Sequence, residues 1–132
     1  MILTARTFSV SIDREWRALY EQIWRPQYFP KWASGLAQSE LRQSEDDWLA
    51  EGPEGAVRIR FTPHNAYGVM DHIVHTGDGN EVSVPMRVIP NGEGAEVMLT
   101  LFRQPGMDDE RFSADAKWVV RDLKALKALV GR

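Results

Sequence analysis

The sequence contains no cysteine, and this absence removes several kinds of chemistry at once. Disulfide bonds, thiolate nucleophiles and cysteine-based zinc sites are all excluded. The sequence also lacks an uninterrupted apolar run near the ~18 residues that a membrane span needs. Its first residues lack the charged start and apolar block of a signal peptide. We therefore expect a cytoplasmic protein with no membrane span.

The sequence also has little excess charge of either sign. Its formal net charge is −3, and its Lys and Arg residues are dispersed along the chain. A nucleic-acid-binding protein concentrates positive charge on one face or segment, so no nucleic-acid partner is expected. A chain of 132 residues with 43% hydrophobic residues can build one self-sufficient core. Residues 1–132 are therefore expected to form a single domain.

Several catalytic and cofactor motifs are missing as well. There is no Gly-x-Ser-x-Gly nucleophile elbow and no Gly-rich loop between a strand and a helix for phosphate binding. The three histidines are poorly spaced for zinc, because His72 and His75 differ by an odd number and would face opposite sides of a strand. His64 lies in a separate turn. We therefore predict no metal site and no cofactor.

A long amphipathic helix is the clearest feature that the sequence does contain. Between residues 108 and 130, apolar residues recur at steps of three and four, which is typical of one helix face. This apolar stripe consists of Phe112, Ala116, Val119, Leu123, Leu126 and Val130. Three more apolar residues should widen the stripe on one flank, namely Trp118, Ala125 and Leu129. Asp108 suits the N-cap, Gly131 suits a left-handed C-cap, and Asp122 should lie on the polar side.

The first third of the chain predicts a strand followed by helices. Residues 4–12 alternate between polar and apolar, which indicates a half-buried strand. Asp13 should then cap a helix with Glu15 in its first turn, and Pro26 should end it. The apolar face of this helix is predicted to contain Trp16, Leu19, Tyr20, Ile23 and Trp24. Residues 28–34 allow a second, short helical piece before Gly35.

From residue 36 to residue 103 the apolar period falls to two, and turn signals recur between short segments. This pattern predicts an antiparallel meander. The six predicted strands are 39–43, 46–50, 56–62, 67–75, 81–89 and 95–103. With the first strand they make seven. Pro85 falls inside the strand 81–89, where we expect a bulge because proline cannot donate to the ladder.

This order of elements resembles the helix-grip fold of the START-like (Bet v 1-like) superfamily. The resemblance is greatest to its bacterial polyketide cyclase/dehydrase-type members, the SRPBCC proteins. The residues that carry it are Trp16, 30–36, 68–72, 85–88, 101–107 and the last helix. The resemblance implies an α+β fold in which a seven-stranded curved antiparallel sheet wraps around the long C-terminal helix, with two short helices after the first strand. It also implies an elongated pocket between sheet and helix for a hydrophobic small molecule.

The strand 67–75 allows two registers, which turn opposite residues toward the interior. One register turns Val69, Asp71 and Ile73 inward, and the other turns Met70, His72 and Val74 inward. We choose the second because it lets unlike charges alternate across the outer face of four adjacent strands. The expected ladder is Arg60, Asp71, Arg87 and Glu96.

This register makes His72 the main ionisable side chain that points into an apolar cavity. A neutral imidazole there can form one hydrogen bond with a ligand or act as a general base. Alternatively, His72 is a satisfied core residue bonded to a backbone carbonyl or to Tyr67. The other candidate ligand-binding residues are Trp32, Tyr67, Met70, Met86 and Trp118. Each of these also suits an ordinary core. His64 is a weaker candidate for the cavity mouth.

Three functions remain open on this evidence, and the sequence does not decide whether the protein is an enzyme. The first is binding of a hydrophobic or aromatic small molecule without catalysis. The second is a polyketide cyclase/dehydrase- or hydrolase-like reaction with His72 as acid/base. The third is a protein-interaction role with a filled core, in which Met98 and Phe102 form a homodimer patch on the outer sheet face.

Overall fold

The computed structural model describes residues 1–131, which form eight strands, two α-helices and one 3-10 helix. The strands are β1 (Ala5–Ile12), β2 (Arg42–Ser44), β3 (Asp47–Gly52), β4 (Gly55–Phe61), β5 (His72–Thr76), β6 (Glu81–Val84), β7 (Met86–Asn91) and β8 (Gly94–Phe102). The helices are α1 (Trp16–Ile23), the 3-10 helix (Pro26–Lys31) and α2 (Asp109–Val130).

The strands form two antiparallel sheets, so the prediction of one seven-stranded sheet is wrong. The strand order is β1-β8-β7 in one sheet and β2-β3-β4-β5-β6 in the other. The predicted strand 81–89 is divided at Pro85 into β6 and β7. The α+β class, the antiparallel pairing and the long C-terminal helix are confirmed.

The division at Pro85 has a local cause. Proline has no N–H to donate, so the ladder breaks there, and the expected bulge becomes a change of sheet. The next N–H, that of Met86, donates to the side chain of Asp71 at 2.8 Å. Two backbone bonds flank it: Met70 N–H donates to Met86 O, and Thr100 N–H donates to Pro85 O, each at 2.9 Å. These bonds join the two sheets where the chain crosses between them.

The register chosen for β5 agrees with the structure. His72 and Val74 are only 3% and 2% exposed, whereas Asp71 is half-buried on the opposite side. Asp71 pairs with Arg87 at 2.9 Å, as the charge pattern predicted.

The remaining half of the predicted charge ladder is wrong. Arg60 donates instead to the buried carboxylate of Asp47 at 2.8 Å. Glu96 accepts from Ser11 and Asn91, at 2.6 Å and 2.9 Å. The cause is register, because Glu96 lies opposite Ile89 and not opposite an arginine.

Helix α2 begins and ends where the sequence predicted. Asp108 accepts from the N–H of Arg111 at 2.8 Å, and Gly131 closes the helix in the left-handed conformation at φ 81°. The helix packs mainly against β1 and β8. Its buried residues are Phe112, Ala116, Asp122, Leu123, Leu126 and Val130. Within residues 1–131, neither this helix nor any other combines the length and apolar character that crossing a membrane requires.

Two details of the predicted helices are wrong. Leu129 is 45% exposed and Ala125 is also exposed, so the apolar stripe of α2 is narrower than expected. Helix α1 is capped by Glu15 and not by Asp13, because the Glu15 carboxylate accepts from the N–H groups of Arg17 and Ala18 at 3.0 Å. The helix therefore begins at Trp16.

Candidate functional site

The side chain of His72 is the centre of the candidate site. Its Nδ1 lies 3.0 Å from the carbonyl oxygen of Met70, and because a carbonyl only accepts, Nδ1 carries the hydrogen. Burial lowers the pKa of His72, and the hydrogen bond to Met70 and the nearby charge of Asp71 only partly oppose this effect. The imidazole is therefore neutral, and its Nε2 is a lone-pair acceptor.

A small cavity lies beside His72 and has mostly apolar walls. Its volume is about 10 Å³, which is room for about one water molecule. The walls come from α1, the 3-10 helix, the end of β4, the segment 62–71 that connects β4 to β5, and the first residues of β5 and β7. The lining residues are Tyr20, Trp24, Phe29, Phe61, Thr62, Val69, Met70, His72 and Met86.

Aromatic rings hold the imidazole in place. Phe29 meets His72 edge-on, with ring centroids 5.1 Å apart, and the ring of Phe61 lies 5.6 Å from it. Phe29 and Phe61 also contact each other edge-on at 5.2 Å. Such edge-to-face pairs are favourable. Phe29 of the 3-10 helix thus packs against both Phe61 of β4 and His72 of β5.

Two polar atoms on the cavity walls have no hydrogen-bond partner within residues 1–131. They are Nε2 of His72 and Nε1 of Trp24, and both are buried. The indole nitrogen can only donate, whereas Nε2 can only accept in this tautomer. A buried polar group without a partner costs about 1–3 kcal/mol. Two residues that line the cavity thus carry one unpaired donor and one unpaired acceptor.

The outer side of the cavity is closed by contacts between α1 and the segment 62–71. His64 Nε2 lies 2.6 Å from Glu21 Oε2, and both side chains are about half exposed. The imidazole of His64 also packs on Trp24 with centroids 4.8 Å apart. The hydroxyl of Tyr20 accepts from the N–H of Asn65 at 3.0 Å. His64 thus covers a cavity wall from the outside but does not itself line the cavity.

The fold of the segment 62–71 depends on two residues. Asn65 accepts from the N–H groups of Tyr67 and Val69, at 2.9 Å and 3.1 Å. Gly68 adopts φ 70°, and a Cβ at this position would lie 2.2 Å from the carbonyl oxygen of Val88. This close approach requires glycine.

The structure brings three of the six predicted ligand-binding residues to the cavity, namely Met70, His72 and Met86. Tyr67 does not line it, because its side chain is 78% exposed. It belongs to the segment 62–71, to which the alternation of β5 does not extend, since Val69 and Met70 both line the cavity. Of the two alternative partners named for a core His72, the structure shows the backbone carbonyl, that of Met70, and not Tyr67.

Trp32 and Trp118 lie elsewhere. Trp32 is buried edge-on against Phe29 at 5.4 Å, outside the cavity wall, and its Nε1 has no partner within residues 1–131. Trp118 donates from Nε1 to Ser34 Oγ at 3.2 Å. It belongs to a contact between α2 and the segment after the 3-10 helix.

Asp122 is the centre of that contact, although its position predicted a solvent-facing carboxylate. It accepts from Ser34 Oγ and from the N–H of Gly35, both at 2.9 Å. Burial raises the pKa of Asp122, and these two hydrogen bonds only partly offset it. Asp122 follows Trp118 by four residues, and residues four apart share a helix side. This spacing was the sequence signal that Asp122 lies beside Trp118.

Trp24, Phe29 and Phe61 are site residues that the sequence analysis did not identify. Trp24 was assigned to the apolar face of a helix, and Phe61 falls within the predicted strand 56–62. Apolar periodicity indicates burial but does not separate a cavity wall from an ordinary core. Their sequence positions carry no further signal.

A larger open groove of about 620 Å³ lies on the five-stranded sheet. Cross-strand neighbours Leu49, Arg58 and His75 line it, and His75 faces the side of β5 opposite His72. None of the buried unpaired nitrogens found in residues 1–131 belongs to this groove. We therefore regard the smaller cavity as the candidate site.

In the described part of the chain, residues 1–131, no three His, Asp or Glu side chains lie close enough together to hold a metal ion. His75 lies 3.7 Å from Glu81, and His64 contacts Glu21. The three histidines are therefore in three different surroundings.

Comparison with known proteins gives matches only among solved structures. No protein-family model and no curated protein matches the chain. A protein from Bacillus thuringiensis superposes with a TM-score of 0.77 at 15% identity, covering 96% of this chain and 98% of that one. A START superfamily protein from Mycobacterium smegmatis gives 0.68 at 10% identity, with 96% of each chain covered. The Aha1 dimer from Colwellia psychrerythraea gives 0.70 at 11% identity, covering 95% and 94%.

These identities are low, and the superpositions cover nearly the whole chain. They therefore show a shared fold, and a shared fold does not by itself imply a shared activity. Together with the antiparallel sheets and the packing of α2 on β1 and β8, they show that this chain has the START-like (Bet v 1-like) fold of SRPBCC proteins.

Proposed function

We propose that this protein binds a small apolar or aromatic molecule in its interior, at the cavity beside His72. The observation that carries the proposal is the pair of unpaired nitrogens, on His72 and Trp24, in walls that are otherwise mostly apolar. Small-molecule sites typically combine apolar walls with a few polar groups that fix the orientation of the ligand.

Binding at this site requires the cavity to enlarge. About 10 Å³ is too little for any organic molecule. Met70 and Met86 lie on the wall, and methionine side chains adapt to new shapes because they are unbranched and flexible. The segment 62–71 contacts α1 partly through half-exposed side chains, His64 and Glu21, and we propose that this wall moves when a ligand binds.

Native mass spectrometry of the purified protein tests this proposal. We expect an additional mass that survives gentle desolvation and is lost on activation, or, for ligand-free protein, a higher melting temperature in the presence of apolar aromatic compounds. A chain with no bound mass and no thermal shift across such compounds would contradict the proposal.

An enzymatic reaction with His72 as acid/base is less well supported. Such a mechanism needs a second polar group positioned near the base. Within residues 1–131, the hydrogen-bond partner of His72 is a backbone carbonyl, and the predicted helpers are elsewhere: Tyr67 is exposed and His64 contacts Glu21. Cyclase, dehydrase or hydrolase activity is thus an alternative that the same site allows.

A homodimer is a second candidate, because the interior is almost filled. The outer face of the three-stranded sheet carries Ile89, which is 38% exposed, together with half-buried Met98 and Phe102. A similar fold occurs in a protein whose solution structure is a dimer. Native mass spectrometry distinguishes the candidates, because a mass of two chains with no ligand would favour the dimer.

A further inference from the structure

The chemistry of the two unpaired nitrogens limits what the cavity can accept. Nε2 of His72 needs a hydrogen-bond donor, because Nδ1 already carries the hydrogen that is shared with Met70. Nε1 of Trp24 needs an acceptor, because an indole N–H only donates. An occupant that satisfies both must offer one donor and one acceptor.

The other polar side chains on the wall each already make one hydrogen bond. Thr62 Oγ1 donates to the carbonyl of Asp71 at 2.6 Å, and the hydroxyl of Tyr20 accepts from Asn65 N–H. No Lys or Arg is among the residues that line the cavity. The site therefore has no cation to balance an anionic ligand, and burying an unbalanced charge is costly.

We infer that the ligand is a neutral hydroxylated molecule, a phenol or an alcohol with an apolar body, whose hydroxyl donates to His72 Nε2 and accepts from Trp24 Nε1–H. This inference rests on the binding function proposed above, and it adds the chemical class of the ligand.

A hydroxyl is the group that fits these requirements. A ketone or an ether would accept from Trp24 but would leave Nε2 of His72 unpaired. A carboxylate would place negative oxygen against the lone pair of Nε2, and it would lose its hydration without gaining a counter-ion. A water molecule matches both nitrogens and the present volume, and the ligand hydroxyl would take its place.

The test compares phenol, toluene and benzoate, which share a ring and differ in one substituent. Binding is followed by NMR of the ¹⁵N-labelled full chain, using the backbone amides of β5 and the imidazole nitrogens of His72. We expect phenol to bind about tenfold more tightly than toluene, from two modest hydrogen bonds, and benzoate to bind at least about tenfold more weakly than phenol. The Nε2 resonance of His72 should shift with phenol.

Two variants locate the effect. His72→Phe keeps a flat ring of similar size and should remove the preference for phenol over toluene, whereas the matched change His75→Phe, on the opposite face of β5, should leave the preference unchanged. If His72→Phe does not fold, Trp24→Phe keeps an aromatic ring without the N–H and should reduce the same preference several-fold.

The outcomes separate the two proposals. Equal binding of phenol and toluene, or a preference that survives in both His72→Phe and Trp24→Phe, overturns the hydroxyl inference and leaves interior binding in place. If none of the three compounds binds and native mass spectrometry shows no bound mass, the cavity holds a buried water only, and both proposals are wrong.

Discussion

Asp122 shows how one residue can reverse a prediction from periodicity. Its carboxylate lies on α2 between Ser34 and Gly35, which both donate to it, and it is only 8% exposed. Trp118, one turn earlier, donates to the same Ser34. A carboxyl group that was predicted to face solvent thus connects α2 to the segment after the 3-10 helix by hydrogen bonds.

The raised pKa of Asp122 makes stability depend on pH. Burial is the main cause, so the folded chain keeps this proton to a higher pH than the unfolded chain, whose carboxyl has its ordinary value of 3.8. The contribution of Asp122 to the free energy of unfolding should therefore fall as the pH rises from 3.8 to the raised folded value. Asp122→Asn cannot ionise, and it can accept from Gly35 N–H while donating to Ser34 Oγ.

We expect Asp122→Asn to become more stable relative to the natural chain as the pH rises through that window. Urea denaturation, followed by tryptophan fluorescence at a series of pH values, measures the difference. The exposed Asp46→Asn is the control and should show no such trend. A constant difference between Asp122→Asn and the natural chain would mean that the buried carboxyl is not coupled to folding.

Gly68 is a second position where one residue determines local structure. Gly68→Ala should place a Cβ 2.2 Å from the oxygen of Val88 and force a left-handed conformation on alanine. We expect a loss of more than about 2 kcal/mol in the free energy of unfolding. Gly79→Ala is a matched control, because Gly79 also has a positive φ, 87°, but no atom within 4 Å of its Cβ position. Equal losses in the two variants would contradict the predicted clash.

At the scale of elements, the junction between the two sheets depends on Asp71. Its carboxylate accepts from the N–H of Met86 and from the guanidinium of Arg87. Burial alone would raise the pKa of Asp71, but the hydrogen bonds from Arg87 and Met86 outweigh it and hold the pKa below its usual value. This side chain supplies the acceptor at the point where Pro85 interrupts the ladder.

Asp71→Ala should therefore leave the N–H of Met86 without an acceptor and cost about 1–3 kcal/mol. Amide hydrogen exchange at Met86 should become faster, which NMR measures directly. Arg87→Leu tests the ion pair alone, and because Arg87 is exposed the loss should stay within about 1 kcal/mol. If Arg87→Leu cost as much as Asp71→Ala, the salt bridge rather than the backbone bond would join the sheets.

At the scale of the whole molecule, we propose that the ligand enters between α1 and the segment 62–71. The contact between His64 and Glu21 is solvent-exposed, and such a pair stabilises by about 0.2–1 kcal/mol. Small losses of this kind change the population of an open state by up to about fivefold, since each factor of ten corresponds to about 1.4 kcal/mol.

Glu21→Gln and His64→Ala should each raise the association rate of phenol by up to about fivefold. Stopped-flow tryptophan fluorescence measures this rate, because Trp24 contacts both His64 and the cavity. His75→Ala removes a histidine from the opposite face of the sheet and should leave the rate unchanged. Rates that do not change in either variant would show that the ligand enters elsewhere.

Much of this architecture could be predicted from local chemistry. Periodicity and caps located α2 from Asp108 to Gly131. Alternation left two registers for the strand 67–75, and the charge pattern selected the one that places His72 and Val74 inside. These predictions succeed because side-chain spacing along one element directly determines which face can be buried. The α+β order of elements follows from the same information, and its resemblance to a known family implied the START-like fold.

The tertiary structure alone determined which residues meet across elements. Trp24 and Phe29 are far from His72 in the chain, and only packing brings them around one cavity, whereas Tyr67 is turned outward. Three features depend on partners that no local pattern identifies. They are the division of the strands into two sheets, the hydrogen bond from Met86 N–H to Asp71, and the burial of Asp122. Periodicity shows that a side chain is buried, but the atoms that it meets are supplied by distant parts of the chain.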